Sequence, residues 1–155
     1  MKYAAVEEFL SSRPGARDCL ALLGLFQGGV CSRMLAAVSH ESDPEGAVPG
    51  DMEVAFERIL DDAGRAELLT RKGDHWFAVN ERVEAGLREI FLSWPSAQRE
   101  PCESGFVRAY AEFAKLILGL NGLSNELSRR RLHRETTHLG RAVGFAVRLT
   151  DWAEA

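Results

Sequence analysis

The sequence has no hydrophobic run long enough to cross a membrane. Its longest apolar stretch, residues 19–26, is far short of the roughly 18 residues that a transmembrane helix requires. The first residues also lack the basic start, apolar stretch and cleavage site of a secretory signal. A chain of 155 residues corresponds to one ordinary domain, or to two small ones that share a core. We therefore expect a cytoplasmic protein with no membrane partner.

Cysteine is scarce and its spacing forms no motif. Cys19, Cys31 and Cys102 are an odd number at wide intervals, which excludes a disulfide framework and a CxxC metal or redox unit. Free cysteine is among the residue types most often found in protein cores. We expect three buried, reduced thiols.

Motifs for metal binding and for catalysis are also missing. His40, His75, His133 and His138 form no HxH, HxxxH or HExxH pair, and no GxSxG, SxxK or GxxxxGK[ST] sequence occurs. Glu135 lies one helical turn from His138, so the two side chains can hydrogen-bond, but this pair has no nucleophile beside it. We interpret it as a structural pair and expect neither an enzyme, nor a metal site, nor a cofactor.

Net positive charge is absent, and the charge that is present is unevenly distributed. The formal net charge of −4 supplies no overall attraction to nucleic acids or anionic lipids. Residues 102–155 hold 8 Lys and Arg against 6 Asp and Glu, whereas residues 1–101 hold 11 against 17. The one concentrated basic patch consists of Arg129, Arg130, Arg131 and Arg134. It is either a docking site for an acidic group or a solvated helix face.

What the sequence does contain is helical periodicity in its first two thirds. Apolar residues at helical spacing predict helices over residues 2–12, 16–25, 30–40 and 51–62. Two β-prone runs around a charged turn at residues 71–74 then predict a hairpin. A further helix is predicted from Asn80 or Glu81 to Phe91, with Asn80 as its N-cap. Three helices followed by a two-stranded wing are the arrangement of a winged helix.

Residues 93–103 contain two prolines and mixed charge, which predicts a boundary. Beyond it the sequence predicts a helical hairpin with one linking helix. We therefore expect a mainly α protein with a winged-helix domain over residues 1–93 and a repeat-like helical segment over residues 102–155.

The third helix decides whether such a fold reads DNA. A DNA reader needs cations or amides on the outward face of this helix, because phosphate contacts supply most of the non-specific affinity. Here that face is predicted to carry Glu53, Glu57 and Asp61, with Asp62, against a lone Arg58. This charge argues against nucleic acid as the partner and favours a protein.

The chain also resembles a family of signalling proteins. Three stretches resemble the winged-helix region of STAND ATPases, the class with NB-ARC and NACHT members: CLALLGLFQGGVCSRMLAAV over residues 19–38, ILDDAGRAELL over residues 59–69 and HWFAVNERVEAGLREIF over residues 75–91. Residues 106–120, and RETTHLGRAVGFAVRLTDWAEA over residues 134–155, resemble the segment that joins this winged helix to tetratricopeptide-type sensor repeats.

The resemblance implies a regulatory role without chemistry. In nucleotide-binding members a Met-His-Asp triplet after the second wing strand reports on bound ADP, and the matching residues here are Val79, Asn80 and Glu81. Asn80 can hydrogen-bond but cannot become cationic, so it is either a nucleotide-sensing residue or simply a helix cap. Because the chain has no phosphate-binding loop of its own, the resemblance implies a segment, or a stand-alone relic, of a larger regulator.

We therefore expect a cytoplasmic protein–protein interaction module for signal transduction that couples a helical sensor to a nucleotide-binding domain. Its partners would be those domains or another protein, contacted through Glu53, Glu57, Asp61, Arg129, Arg130, Arg131 and Arg134. One alternative is a winged-helix transcriptional regulator whose wing and arginine patch bind DNA. A second alternative is a plain helical adaptor.

Overall fold

The computed structural model describes residues 2–13, 15–46, 49–119 and 126–153. Over these residues the chain is mainly helical and carries one small three-stranded sheet. None of the described helices is long and apolar enough to cross a membrane. The helices are α1 (Lys2–Ser12), α2 (Ala16–Leu22), α3 (Ser32–Ser42), α4 (Pro49–Arg65), α5 (Glu81–Ser93), α6 (Ser96–Gly119) and α7 (Glu126–Ala153), and the strands are β1 (Gly29–Cys31), β2 (Leu69–Gly73) and β3 (Trp76–Val79).

The first two helices follow the local sequence signals. The bounds of α1 are the predicted ones, and a single 3-10 turn, Leu23–Leu25, extends α2 to the predicted end. Gly15 precedes α2 with a φ of +78°, a conformation that glycine adopts without steric cost. Every residue from Cys19 to Phe26 is buried, so this apolar stretch is a core element.

The third predicted helix begins later than expected, because its first residues form a strand. Gly29–Cys31 pairs antiparallel with β3, with Val30 opposite Phe77, and α3 begins at Ser32. The two strands approach closely at Gly29, where a Cβ atom would lie 2.8 Å from the ring of Trp76. The prediction that Val30 starts a helix was wrong, since the hydrogen bonds of β1 come from a strand much further along the chain.

The predicted hairpin is confirmed, with its turn shifted toward the C-terminus. Strands β2 and β3 pair antiparallel around Asp74 and His75, and β1 covers the other edge of β3 to give the order β1-β3-β2. Helix α4 starts at Pro49, so Asp51 lies in its first turn instead of capping it. We refer to α2, α3 and α4 as the trihelical core and to β2 with β3 as the wing.

The predicted boundary at residues 93–103 is mostly helix. After α5 the chain turns at Trp94 and Pro95, and α6 begins at Ser96 and continues through Pro101, which lies in its second turn. The predicted linking helix is not separate, because residues 126–132 are the beginning of α7. The interruption predicted at residues 121–122 lies outside the described residues. We refer to α6 and α7 as the helical pair.

The helical pair and the trihelical core are packed into one hydrophobic core. Phe106 and Tyr110 of α6 and Ala142 of α7 belong to the same buried cluster as the apolar residues of α1 to α5. Helix α6 lies directly on α3 at Gly105, where a Cβ atom would lie 2.8 Å from the backbone nitrogen of Ser42 and from the carbonyl oxygen of Val38. The two segments predicted at residues 1–93 and 102–155 therefore share their interior.

Candidate functional site

The carboxylates predicted to face a partner lie on the side of α4 that faces the wing. Glu57 is 2.8 Å from Nδ1 of His75, at the tip of the wing. Glu53 accepts a hydrogen bond of 3.2 Å from Nε of Arg33, and Asp61 accepts one of 2.8 Å from Arg71 of β2. All three carboxylates are therefore partly buried and paired within the chain.

This pairing changes the electrostatic argument about α4. The exposed face of the helix carries Asp51, Val54, Ala55, Arg58 and Arg65, which is a mixed surface and not an acidic one. The prediction that these carboxylates are free to face a partner was wrong, because their own partners come from α3 and from the wing. Arg33 pairs with Glu53, and Arg71 is shared by Glu57 and Asp61. The charge-sign argument against DNA is therefore weaker than the sequence alone indicates.

Asn80 caps α5 as predicted. Its side chain accepts a hydrogen bond of 3.1 Å from the backbone nitrogen of Arg82, and its backbone is extended, as is usual at an N-cap. The residue is exposed between β3 and α5. This local role accounts for the amide, and nucleotide sensing by Asn80 stays a prediction.

The arginine patch divides into two parts. Arg129 and Arg130 both pair with Glu126 on the preceding turn of α7, at 3.5 and 2.9 Å. Arg131 and Arg134 form no ion pair with any residue that the structure describes, and the guanidinium of Arg134 lies 4.6 Å from the ring centre of Trp76. In the second part of the patch, Arg134 therefore contacts the wing, and neither arginine is paired with a carboxylate of the described residues.

A buried polar network joins the helical pair to the trihelical core. The hydroxyl of Tyr110 on α6 donates to Glu135 on α7 at 2.7 Å, and Nδ1 of His138 lies 2.7 Å from the same carboxylate. The other ring nitrogen of His138 accepts from the backbone nitrogen of Gln27 at 3.1 Å. Glu135 and His138 are only 3% and 1% exposed. We call these four residues the Tyr110–His138 network.

Both ring nitrogens of His138 have partners. Nδ1 lies 2.7 Å from the carboxylate of Glu135 and 3.1 Å from the hydroxyl of Tyr110, and Nε2 lies 3.1 Å from the backbone nitrogen and 3.0 Å from the carbonyl oxygen of Gln27. Burial, followed by the charge of Glu135 and the hydrogen bond to it, raises the pKa of Tyr110 well above its usual value of 10.0, so the hydroxyl stays protonated. Each polar side chain of the network therefore has a partner, and the carboxylate of Glu135 also lines a cavity beside α6.

Sequence reasoning found half of this network. The spacing of Glu135 and His138 predicted their hydrogen bond, which is confirmed, and the structural interpretation of the pair agrees with its burial. Tyr110 was assigned only to an apolar stripe, although a buried tyrosine hydroxyl usually requires a partner, and this was the signal that could have found it. Nothing in the sequence indicates Gln27, because it contributes only its backbone.

The cysteines are all free thiols, but they are not equally buried. Cys19 is buried as predicted, and burial, with a smaller contribution from Asp18, raises the pKa of its thiol far above the usual 9.0. Cys31 and Cys102 are partly exposed, which the prediction of buried thiols missed. In the part of the chain that the structure describes, no group of three or more His, Cys, Asp or Glu side chains is arranged to hold a metal ion.

No protein-family model, curated protein or solved structure matches this chain.

Proposed function

We propose that the protein is a non-catalytic regulatory module in which a winged helix is coupled to a helical sensor segment, as in STAND signalling ATPases. The order of the elements supports the winged helix: the three helices of the trihelical core are followed by the wing, and β1 pairs with the free edge of β3. The STAND assignment rests on the sequence resemblance over residues 19–38, 59–69, 75–91 and 106–155.

The Tyr110–His138 network carries the coupling proposal. Removal of any one member leaves a buried polar group without its partner, which costs more than the net gain of an ordinary hydrogen bond. The helical pair therefore cannot separate from the loop before β1 without a substantial penalty. A ligand or partner that moves α6 or α7 would transmit its displacement to the trihelical core, which is the behaviour required of a switch element.

A protein is the partner class we propose. Glu53, Glu57 and Asp61 are each paired within the chain, and the exposed face of α4 mixes Asp51, Arg58 and Arg65 with two apolar residues. This face offers no row of uncompensated cations for a phosphate backbone. The mixed polar and apolar composition is that of an ordinary protein–protein interface.

The first test is to sequence the full transcript that encodes this chain. The second is to measure nucleotide release from the protein that this transcript encodes. We expect an in-frame GxxxxGK[ST] motif upstream and helical repeats downstream. In that longer protein, Tyr110→Phe should accelerate the release of a fluorescent ADP analogue, whereas Thr137→Ala on the exposed side of α7 should not. A transcript without a P-loop, or equal release rates for the two variants, would contradict the proposal.

The DNA-binding alternative is distinguished by salt. A transcriptional regulator should bind some duplex with nanomolar-scale affinity and lose that affinity steeply as the salt concentration rises. We expect only weak binding without sequence preference when labelled duplexes are titrated by fluorescence anisotropy. The adaptor alternative would be favoured if capture of the partner survived deletion of the charges on the wing.

A further inference from the structure

A cavity of about 270 Å³ lies between the wing and the helical pair. One of its sides is formed by the end of β1, the start of α3 and the turn of the wing, and the other by α6 and α7. Pockets for drug-sized ligands usually measure about 300–1,000 Å³, so this volume, just below that range, suits a molecule smaller than a nucleotide.

Apolar side chains form one part of the cavity lining. Ile117 is almost fully buried, Met34 and Phe113 are partly buried, and Leu116 is 57% exposed. An apolar molecule entering this space would remove both its own surface and that of Leu116 from water, which is the main source of affinity in such pockets.

Three arginine side chains also line the cavity. Arg131 and Arg134 lie one turn apart on α7, and neither has an ion pair among the described residues. The contact of Arg134 with Trp76 holds its guanidinium in place while leaving its N–H groups available. Arg33 also lines the cavity but is already occupied by Glu53 and His75.

The two carboxylates in the lining form no ion pair with Arg131 or Arg134 among the described residues. Glu135 accepts from Tyr110 and lies beside His138, and Asp74 is exposed in the turn of the wing. An arginine fork binds a carboxylate or a phosphate through two parallel hydrogen bonds. The donors of Arg131 and Arg134 are thus suited to one small anionic group.

We propose that this cavity binds a small amphipathic anion, with an apolar body against Met34, Phe113 and Ile117 and an acidic head group held by Arg131 and Arg134. Such a ligand would contact α3 and the helical pair at once, so it would stabilise their packing. The proposal goes beyond the regulatory function above and does not depend on membership of the STAND class.

The ligand test uses four probes that share a straight alkyl chain of seven or eight carbons and differ in their head group: octanoate, octyl phosphate, 1-octanol and octylamine. Cys31 lines the cavity and reports its occupancy through the rate of alkylation by iodoacetamide, measured by mass spectrometry. Cys102 lies elsewhere and serves as an internal reference.

We expect octanoate or octyl phosphate to slow the alkylation of Cys31 but not that of Cys102. The probe that protects Cys31 more strongly identifies the preferred head group. Equal protection by 1-octanol or octylamine, or none by any probe, would overturn the proposal.

Paired variants test whether Arg131, Arg134 and Leu116 form the binding site. The double variant R131Q/R134Q should weaken protection by about tenfold or more, because hydrogen bonds to charged groups are lost. R129Q/R130Q removes the same charge from the same helix and should leave protection unchanged. Leu116→Trp should fill the entrance, whereas Leu118→Trp, which is also exposed but outside the cavity, should not affect binding. Circular dichroism verifies that each variant is folded, and a result in which both members of a pair behave alike would contradict the site.

Discussion

The ring of His138 on α7 binds the backbone of Gln27, which lies 111 residues earlier in the chain. The same ring contacts the edge of Phe26 at 5.3 Å between ring centres and is enclosed by Tyr110 on α6. One side chain thus connects both helices of the helical pair to the segment between α2 and β1. Since its polar atoms are buried and partnered, the connection depends on every member of the Tyr110–His138 network.

Removal of the tyrosine hydroxyl should destabilise the fold. Tyr110→Phe keeps the ring that packs against Phe106 and Phe26 but deprives the buried carboxylate of Glu135 of a donor. We expect the free energy of unfolding in urea to fall by about 1–3 kcal/mol. Thr137→Ala, at an exposed position of α7, should change it by less than about 0.5 kcal/mol. Equal effects would show that the network adds nothing to stability.

The same tyrosine should make stability depend on pH in alkaline solution. The pKa of Tyr110 is near 10.0 in the unfolded chain and is raised in the folded protein. At a pH between these two values, the hydroxyl is deprotonated in the unfolded chain but still protonated in the folded protein. Stability from this group is complete below pH 10 and is lost as the pH rises above it. Buried Cys19 acts in the same direction in every variant. The difference in unfolding free energy between wild type and Tyr110→Phe should therefore shrink above pH 10, and a constant difference would contradict the assignment.

Two glycines should respond to alanine with opposite signs. Gly105→Ala would force α6 away from the backbone of α3 and should destabilise the protein by about 1–3 kcal/mol, as overpacking does. Gly140→Ala, on the exposed side of α7 with nothing within 4 Å of the added carbon, should stabilise it by about 0.5–1 kcal/mol through helix propensity. Thermal unfolding of the two variants measures both effects, and a stabilising Gly105→Ala would show that the helices do not pack this closely.

Asn80 should behave as a helix cap. Asn80→Ala removes the acceptor for the backbone nitrogen of Arg82 and should cost about 1 kcal/mol of stability. Asn80→Ser and Asn80→Asp retain a capping oxygen and should have little effect in chemical denaturation. If all three substitutions were equally harmful, a role other than capping would be required.

The pairing of the α4 carboxylates should limit binding to DNA. Glu53→Gln with Glu57→Gln releases Arg33, whereas Arg71 keeps Asp61 as its partner. We expect this double variant to bind duplex DNA more tightly than the wild type at low salt. Its plot of log affinity against log salt concentration should be steeper by about 0.9, which corresponds to one released cation. Glu81→Gln with Glu89→Gln makes the same change in net charge at exposed positions of α5 and controls for it. Identical slopes for the two double variants would show that the pairing is irrelevant.

Local sequence signals account for several elements without reference to the rest of the chain. Apolar periodicity and stop signals defined α1 and α2, and Asn80 defined the start of α5. A spacing of three residues within one helix defined the contact of Glu135 with His138. Each of these features involves residues close in sequence, so helix geometry alone determines which side chains meet.

Only the tertiary structure decided the features that join distant segments. The strand β1 exists because β3 supplies its hydrogen bonds, and the partners of Glu53, Glu57 and Asp61 come from α3 and the wing. Tyr110 and Gln27 complete the buried network from two other segments, and the cavity beside Arg131 and Arg134 forms only where four elements meet. Which charges are compensated and which cavity remains depends on distances across the fold, and the order of residues along the chain does not specify those distances.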